Sequence, residues 1–132
     1  MEDAVKDLIK EELEVARRRL EAAKLLLENH MLEDAINRAY YAVFYAAKAV
    51  LHSLGYDAKT HKGIISEFGL RLIKEGRIPK KYGSILRHIF EARESGDYEV
   101  YAVFDYEEVD ELLSQAKKFV EMAEKFVQKM MV

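Results

Sequence analysis

The stretch Ala35-Ile36-Asn37-Arg38-Ala39-Tyr40-Tyr41-Ala42-Val43-Phe44-Tyr45-Ala46-Ala47-Lys48-Ala49-Val50-Leu51 decides the fold of this chain. Set on a helix at about 100° per residue, Ala35, Ala39, Ala42, Ala46 and Ala49 form a stripe with little side-chain bulk. Another helix can approach such a stripe to about 8 Å. Ile36, Val43 and Val50 lie beside it, then Tyr40, Phe44 and Leu51. Asn37, Arg38, Tyr41, Tyr45 and Lys48 share the one polar sector. A helix that is apolar over most of its circumference is a central one, so the segment reads as the core helix on which the others pack. Its tyrosines then pack with their hydroxyls at the rim of the core. A functional alternative has Asn37 and Tyr41, one turn apart, lining a site.

Upstream, Val5, Leu8, Ile9, Leu13, Ala16, Leu20, Ala23 and Leu27 give a first helix over residues 3–28. Arg17, Arg18 and Arg19 fan over some 200° of it, with acids at 11, 12, 14 and 21, and predict a solvated, ion-paired surface rather than a basic face. Asn29 is the expected left-handed stop. The short connection to the core helix, Leu32 to about Leu54, makes the two an antiparallel hairpin. Gly55 ends the core helix. Thr60 is placed to cap a third helix running to about Lys74, in which Gly63 and Gly69 are expected at close contacts. Gly76 breaks that helix, and Pro79 suits the first turn of a fourth, which reaches about Arg93. Ser95-Gly96-Asp97 has turn chemistry, and a non-helical stretch follows to Phe104. Asp105 with Glu108 resembles a capping box, with Phe104 and Val109 as its staple, and starts the last helix. The expected fold is all-α, an up-and-down bundle of four or five helices.

At 132 residues the chain suits one domain, residues 1–132. With 50% apolar residues it can bury a real core. It has no cysteine, which excludes disulfides and thiolate metal sites. The acidic N-terminus has no apolar signal core. No apolar run approaches the ~18 residues of a membrane span, so a cytoplasmic protein with no membrane association is expected. Charged residues make up 34% and there are only two Asn and two Gln, a balance that leans towards a thermophile. The net charge of −3 gives no global attraction to nucleic acid. Its distribution is uneven: residues 59–93 hold nine Lys/Arg and three Glu, and residues 94–111 hold eight acids and no base. Either these are solvated helix faces, or the basic segment builds a local anion site.

Metal and phosphate-loop chemistry has no support here. No Glu stands three residues before any of the four histidines, no two histidines fall at i, i+4, and no HExxH, phosphate loop or Gly-x-Ser-x-Gly occurs. No metal or cofactor is expected. His30 and His52 sit at helix ends, where imidazole is ordinary. The run Arg93-Glu94-Ser95-Gly96-Asp97-Tyr98 stands out. Arg93 either caps a helix C-terminus or pairs with Asp97, or it joins a carboxylate and a phenol around a concavity. There the guanidinium suits phosphate and Tyr98 can stack on a base.

Asn37-Arg38-Ala39-Tyr40-Tyr41-Ala42-Val43-Phe44, then Thr60-His61-Lys62-Gly63, then Arg93-Glu94-Ser95-Gly96-Asp97-Tyr98 resemble the HEPN superfamily, closest to its small archaeal and bacterial branch. The resemblance spans nearly all of residues 10–128 and keeps the motif order. It implies a helical bundle that forms a homodimer and pairs with a minimal nucleotidyltransferase in a two-component, toxin–antitoxin-like module. It also places Arg93, Asp97, Tyr98, Asn37, Tyr41, His61 and Lys62 at a nucleotide, RNA or partner site. Many superfamily members are metal-independent RNases with an Arg, four to six residues, then His. Here Arg93 matches, but Tyr98 stands where the histidine is expected, and no His lies five to seven residues after any Arg. A phenol with an ordinary pKa near 10 is a poor base at neutral pH. His88 is a substitute in reversed order. Some family toxins are silenced by AMP added to a tyrosine two residues after that histidine. The matching position is Val100, leaving Tyr98 or Tyr101 as acceptors. Three functions follow: a non-catalytic binding module, a metal-independent RNase toxin using Arg93 and a substitute for the missing histidine, for which Tyr98 is a candidate, and a purely structural assembly bundle.

Overall fold

Five helices are present in the computed structural model, which describes residues 1–98 and 104–131 and their side chains except at 96–98. They are α1 (Asp3–Glu28), α2 (Leu32–Ser53), α3 (His61–Phe68), α4 (Lys80–Tyr98) and α5 (Tyr106–Met130). No strand occurs among the described residues. The chain is all-α, and α2 packs against each of the other four helices, most extensively α1 and α5. All five alanines of its small-residue stripe are fully buried. The polar sector read from the sequence is the one that reaches solvent: Arg38 is exposed, and Asn37, Tyr41, Tyr45 and Lys48 are half-buried.

Local chemistry fixes the helix ends. Thr60 accepts a hydrogen bond from the Gly63 N–H at 2.9 Å, and Asp105 accepts one from the Glu108 N–H at 2.8 Å. Gly55 (φ 86°) and Gly76 (φ 74°) occupy left-handed turns that a Cβ would strain. Pro79 stands immediately before α4, where its carbonyl accepts from the Tyr82 N–H.

Several expectations are corrected. The left-handed residue after α1 is His30 (φ 57°), not Asn29, whose side-chain amide instead donates to the Leu25 carbonyl. Leu8, counted in the apolar stripe of α1, is exposed. Glu12, counted among the solvated acids, is buried. Arg17 finds its carboxylate on α5, at Glu124. A Cβ at Gly63 would press on the Thr60 hydroxyl at 2.7 Å, as expected, but one at Gly69 meets nothing within 4 Å. Gly69 instead begins a π-helical segment, Gly69–Lys74, that continues α3 without a break. Ser95-Gly96-Asp97 forms no turn: α4 runs through it to Tyr98. Turn preferences of Ser, Gly and Asp cost at most about 1 kcal/mol each in a helix. Packing of Phe90 and Ala92 on the core just upstream outweighs that. Arg93 therefore lies inside α4, not at its C-terminal end, and is no terminal cap. Of the stretch expected to be non-helical up to Phe104, Tyr98 still belongs to α4, and residues 99–103 lie outside the described residues.

Candidate functional site

Tyr40 is the residue from which the site is built. It sits on α2 with no solvent exposure, so its hydroxyl is not at the rim and must find its partner inside the protein. That partner is Nδ1 of His61, the first residue of α3, at 2.5 Å. The imidazole is held by aromatic rings from α2. It stacks on Phe44 with centroids 4.5 Å apart and on Tyr40 at 5.5 Å, and meets Tyr41 edge-on at 5.9 Å.

Arg93 approaches the same rings from α4. Its guanidinium carbon lies 5.2 Å from the Tyr40 ring centre and 5.6 Å from that of Tyr41, within range for cation–π attraction. One terminal nitrogen donates to the Tyr41 hydroxyl at 3.5 Å, and the other lies 3.5 Å from the Glu94 carboxylate. The Arg93 side chain is 16% exposed, so the charge is largely desolvated yet reachable. Lys48 adds a second cation 5.7 Å from the centre of the Phe44 ring.

The protonation state of His61 follows from Tyr40. Burial pushes the Tyr40 phenol well above its ordinary pKa, despite the opposing charge of Arg93, so it keeps its proton. Among the described residues the hydroxyl has only His61 Nδ1 as partner. If Nδ1–H donated instead, the phenol proton would be buried without an acceptor, at a cost of about 1–3 kcal/mol. Tyr40 therefore donates to Nδ1. Burial, then the charge of Arg93, holds the His61 pKa below its ordinary value, with Glu94 opposing and Lys48 adding to the decrease. His61 is thus a neutral imidazole with its proton on Nε2, and among the described residues Nε2 has no hydrogen-bond partner. The cluster offers one buried-edge cation and one neutral donor, with the lone pair of the imidazole already occupied. Such a set binds an anion well and abstracts a proton poorly.

Of the residues singled out from the sequence, Arg93, Tyr41 and His61 come together. Asn37 lies one turn before Tyr41 on α2, and its side chain makes no hydrogen bond among the described residues. Lys62 is exposed and turns to a neighbouring groove. Asp97 and Tyr98 close α4, and their side chains, like Tyr101, lie outside the described residues. His88 opens on the side of α4 that faces Glu111 and Gln115 of α5. It is five residues from Arg93, some 140° around the helix, so it supplies no base there. Tyr40 and Phe44 were read as packing alone. A tyrosine flanked on its helix by apolar residues was the available signal, since its hydroxyl required a polar partner from elsewhere in the chain. Among the described residues no group of three His, Asp or Glu side chains is arranged to hold a metal ion, and no helix is long and apolar enough to cross a membrane.

Comparison with known proteins places the chain in a family. The HEPN domain model matches residues 9–126. The chain is 36% identical to a UPF0332 protein of Thermotoga maritima, over 86% of each chain. It is 36% identical to a protein of Methanocaldococcus jannaschii named "Putative toxin MJ0605", over 92% of this chain and 90% of the relative. A UPF0332 protein of Archaeoglobus fulgidus is 35% identical over 90% of this chain and 98% of its own length. The chain belongs to the HEPN domain family.

Proposed function

We propose that the Arg93–His61 cluster binds a phosphate group of RNA or of a nucleotide. In this proposal the protein acts without cleaving, as the dimeric component of a two-component, toxin–antitoxin-like module with a minimal nucleotidyltransferase. Residues 1–132 serve as one domain, and Asn37, Tyr41, Asp97 and Tyr98 border the site. The observation that carries this is the Tyr40 hydroxyl on His61 Nδ1 beside Arg93. A guanidinium recognises phosphate through paired, planar donors, and the Nε2–H adds a donor whose direction the Tyr40 bond fixes. The module is supported by family membership and by two relatives that carry toxin names. Those names also favour a second reading, metal-independent RNA cleavage that depends on Arg93.

Binding and cleavage of labelled single-stranded RNA, measured with EDTA present, separate the two. Wild type is expected to bind and leave the RNA intact. Arg93→Ala should weaken binding about 10- to 100-fold, the worth of a charge-assisted hydrogen bond of about 1.5–3 kcal/mol, with helicity unchanged. Cleavage by wild type that is lost in Arg93→Ala would replace the binding role with the nuclease. Undiminished binding by Arg93→Ala would leave the arginine a structural part of an assembly bundle. Light scattering of the purified protein, alone and with the nucleotidyltransferase, checks the dimer and the module.

A further inference from the structure

Beside the Arg93–His61 cluster, α3 with its π-helical continuation and α4 diverge to leave a groove of about 830 Å³. Its rims are cationic on both sides. Lys62 and Lys74 stand on the α3 side, Lys80 and Arg87 on the α4 side, and all four are exposed. Among the described residues none of the four is paired with a carboxylate. Among the described residues Glu91 is the only acid that lines the groove. Much of the basic excess of residues 59–93 is thus gathered along one channel.

The floor is apolar, with Ile65, Leu70, Ile73 and Phe90. Leu70 is 41% exposed, so the floor presents apolar surface to solvent. Phe90 also joins the groove to the site already described, since its ring lies 5.9 Å from that of Tyr40. Lys62 follows His61 directly. Two glycines line the channel. Gly83 lets α4 approach Ile73, where a Cβ would come within 3.0 Å of Cγ1, and a Cβ at Gly69 would project into open space. Gly69 also begins the π-helical segment, a distortion that recurs at functional sites.

We propose that this groove is the track along which a single strand of RNA runs to or from the Arg93–His61 cluster, an inference that rests on the RNA-binding reading above. Phosphates lie along the two cationic rims, and bases lie on the apolar floor, with Phe90 as a stacking surface. A positive groove with an aromatic platform is how single strands are held without sequence preference. The α3-side rim from Lys62 to Lys74 extends about 18 Å at helical rise, room for several stacked nucleotides at about 3.4 Å each. A second lysine-rich groove lies between Ile78–Tyr82 and α5, but its ring contact, Tyr82 with Phe119, leads away from the cluster, whereas Phe90 touches Tyr40.

The test measures binding of a labelled 12-nucleotide single-stranded RNA across a salt series, with polyglutamate as competitor. The proteins compared are wild type, Lys74→Ala/Lys80→Ala, Gly69→Leu and Arg93→Ala, each checked for helicity. Removing two phosphate contacts should lower the slope of log K against log salt by about 1.4. Gly69→Leu, which fills the channel without touching a charge, should weaken binding and leave the slope unchanged. Polyglutamate should not displace the RNA. If Arg93→Ala weakens binding while both groove variants behave as wild type, the track is wrong and the site reading stands. If the groove variants weaken binding while Arg93→Ala does not, the track stands without that site. Displacement of RNA by polyglutamate at equal charge concentration would assign the groove to an acidic polypeptide instead.

Discussion

Two histidines in this bundle have opposite fates, and their neighbours decide which. His52, near the end of α2, has a carboxylate on each ring nitrogen: Glu12 of α1 at 2.8 Å from Nδ1 and Asp57 at 3.2 Å from Nε2. Two acceptors require two N–H donors, so this imidazole is a cation. Its pKa is raised by the Glu12 hydrogen bond first, against the opposing effect of burial. His61 has a phenol on Nδ1 and a guanidinium nearby, its pKa is lowered, and it stays neutral. The first ring straps α1 and the loop after α2 together and has no donor left for a ligand. The second keeps a donor free beside a cation. Identical side chains thus divide into a structural strap and a member of the proposed binding site through the acidity of what they touch.

The comparison breaks most visibly at His52. His52→Ala leaves Glu12, 5% exposed, buried without its partner. The loss should be about 3 kcal/mol, a fall in melting temperature of roughly 10 °C, with RNA affinity unchanged. Loss of RNA binding in the folded variant would show that His52 is no mere strap.

At His61 the effects are smaller and fall on both stability and binding. His61→Phe keeps the stack on Phe44 but orphans the Tyr40 hydroxyl, which costs about 1–3 kcal/mol. It also removes the Nε2–H donor and should weaken RNA binding by up to about tenfold. The double variant Tyr40→Phe/His61→Phe removes both polar partners together and should regain most of the stability but none of the binding. Equal stability of the single and double variants in denaturant melts would show that the Tyr40 hydroxyl does not depend on His61 for a partner.

The smallest expected effect is on the pH profile of stability. The raised pKa of His52 makes its contribution complete below the ordinary imidazole value of about 6.5. That contribution is lost as pH rises through the folded value. His61, with a lowered pKa, contributes fully above about 6.5 and loses its contribution as pH falls through its folded value. Their joint contribution to the melting temperature should peak near pH ~6.5. His52→Ala should shift that peak upward, and His61→Phe should shift it downward.

The bundle was legible because periodicity is local. The alanine stripe of α2, the caps at Thr60 and Asp105 and the positive-φ glycines at 55 and 76 each declare themselves within a few residues. The run 95–97 misled for the same reason, since its turn chemistry is local and the packing that carries α4 through it is not. The site was only partly legible. Arg93, Tyr41 and His61 were singled out, the last through resemblance alone. The Tyr40–His61 bond links residues 21 apart and the Glu12–His52 bond residues 40 apart. Spacing along the chain carries no sign of either. Glu12 did leave a trace: it falls between Ile9 and Ala16 on the apolar stripe of α1, where a carboxylate needs a buried partner.

The tautomer of His61 tests the central claim most directly. It is read from long-range proton–nitrogen correlation of the imidazoles at neutral pH, before and after addition of single-stranded RNA. His61 should be neutral with its proton on Nε2, and that resonance should move with RNA. His52 should be doubly protonated and unmoved. A protonated His61, a proton on Nδ1, or a His61 signal indifferent to bound RNA would contradict the account.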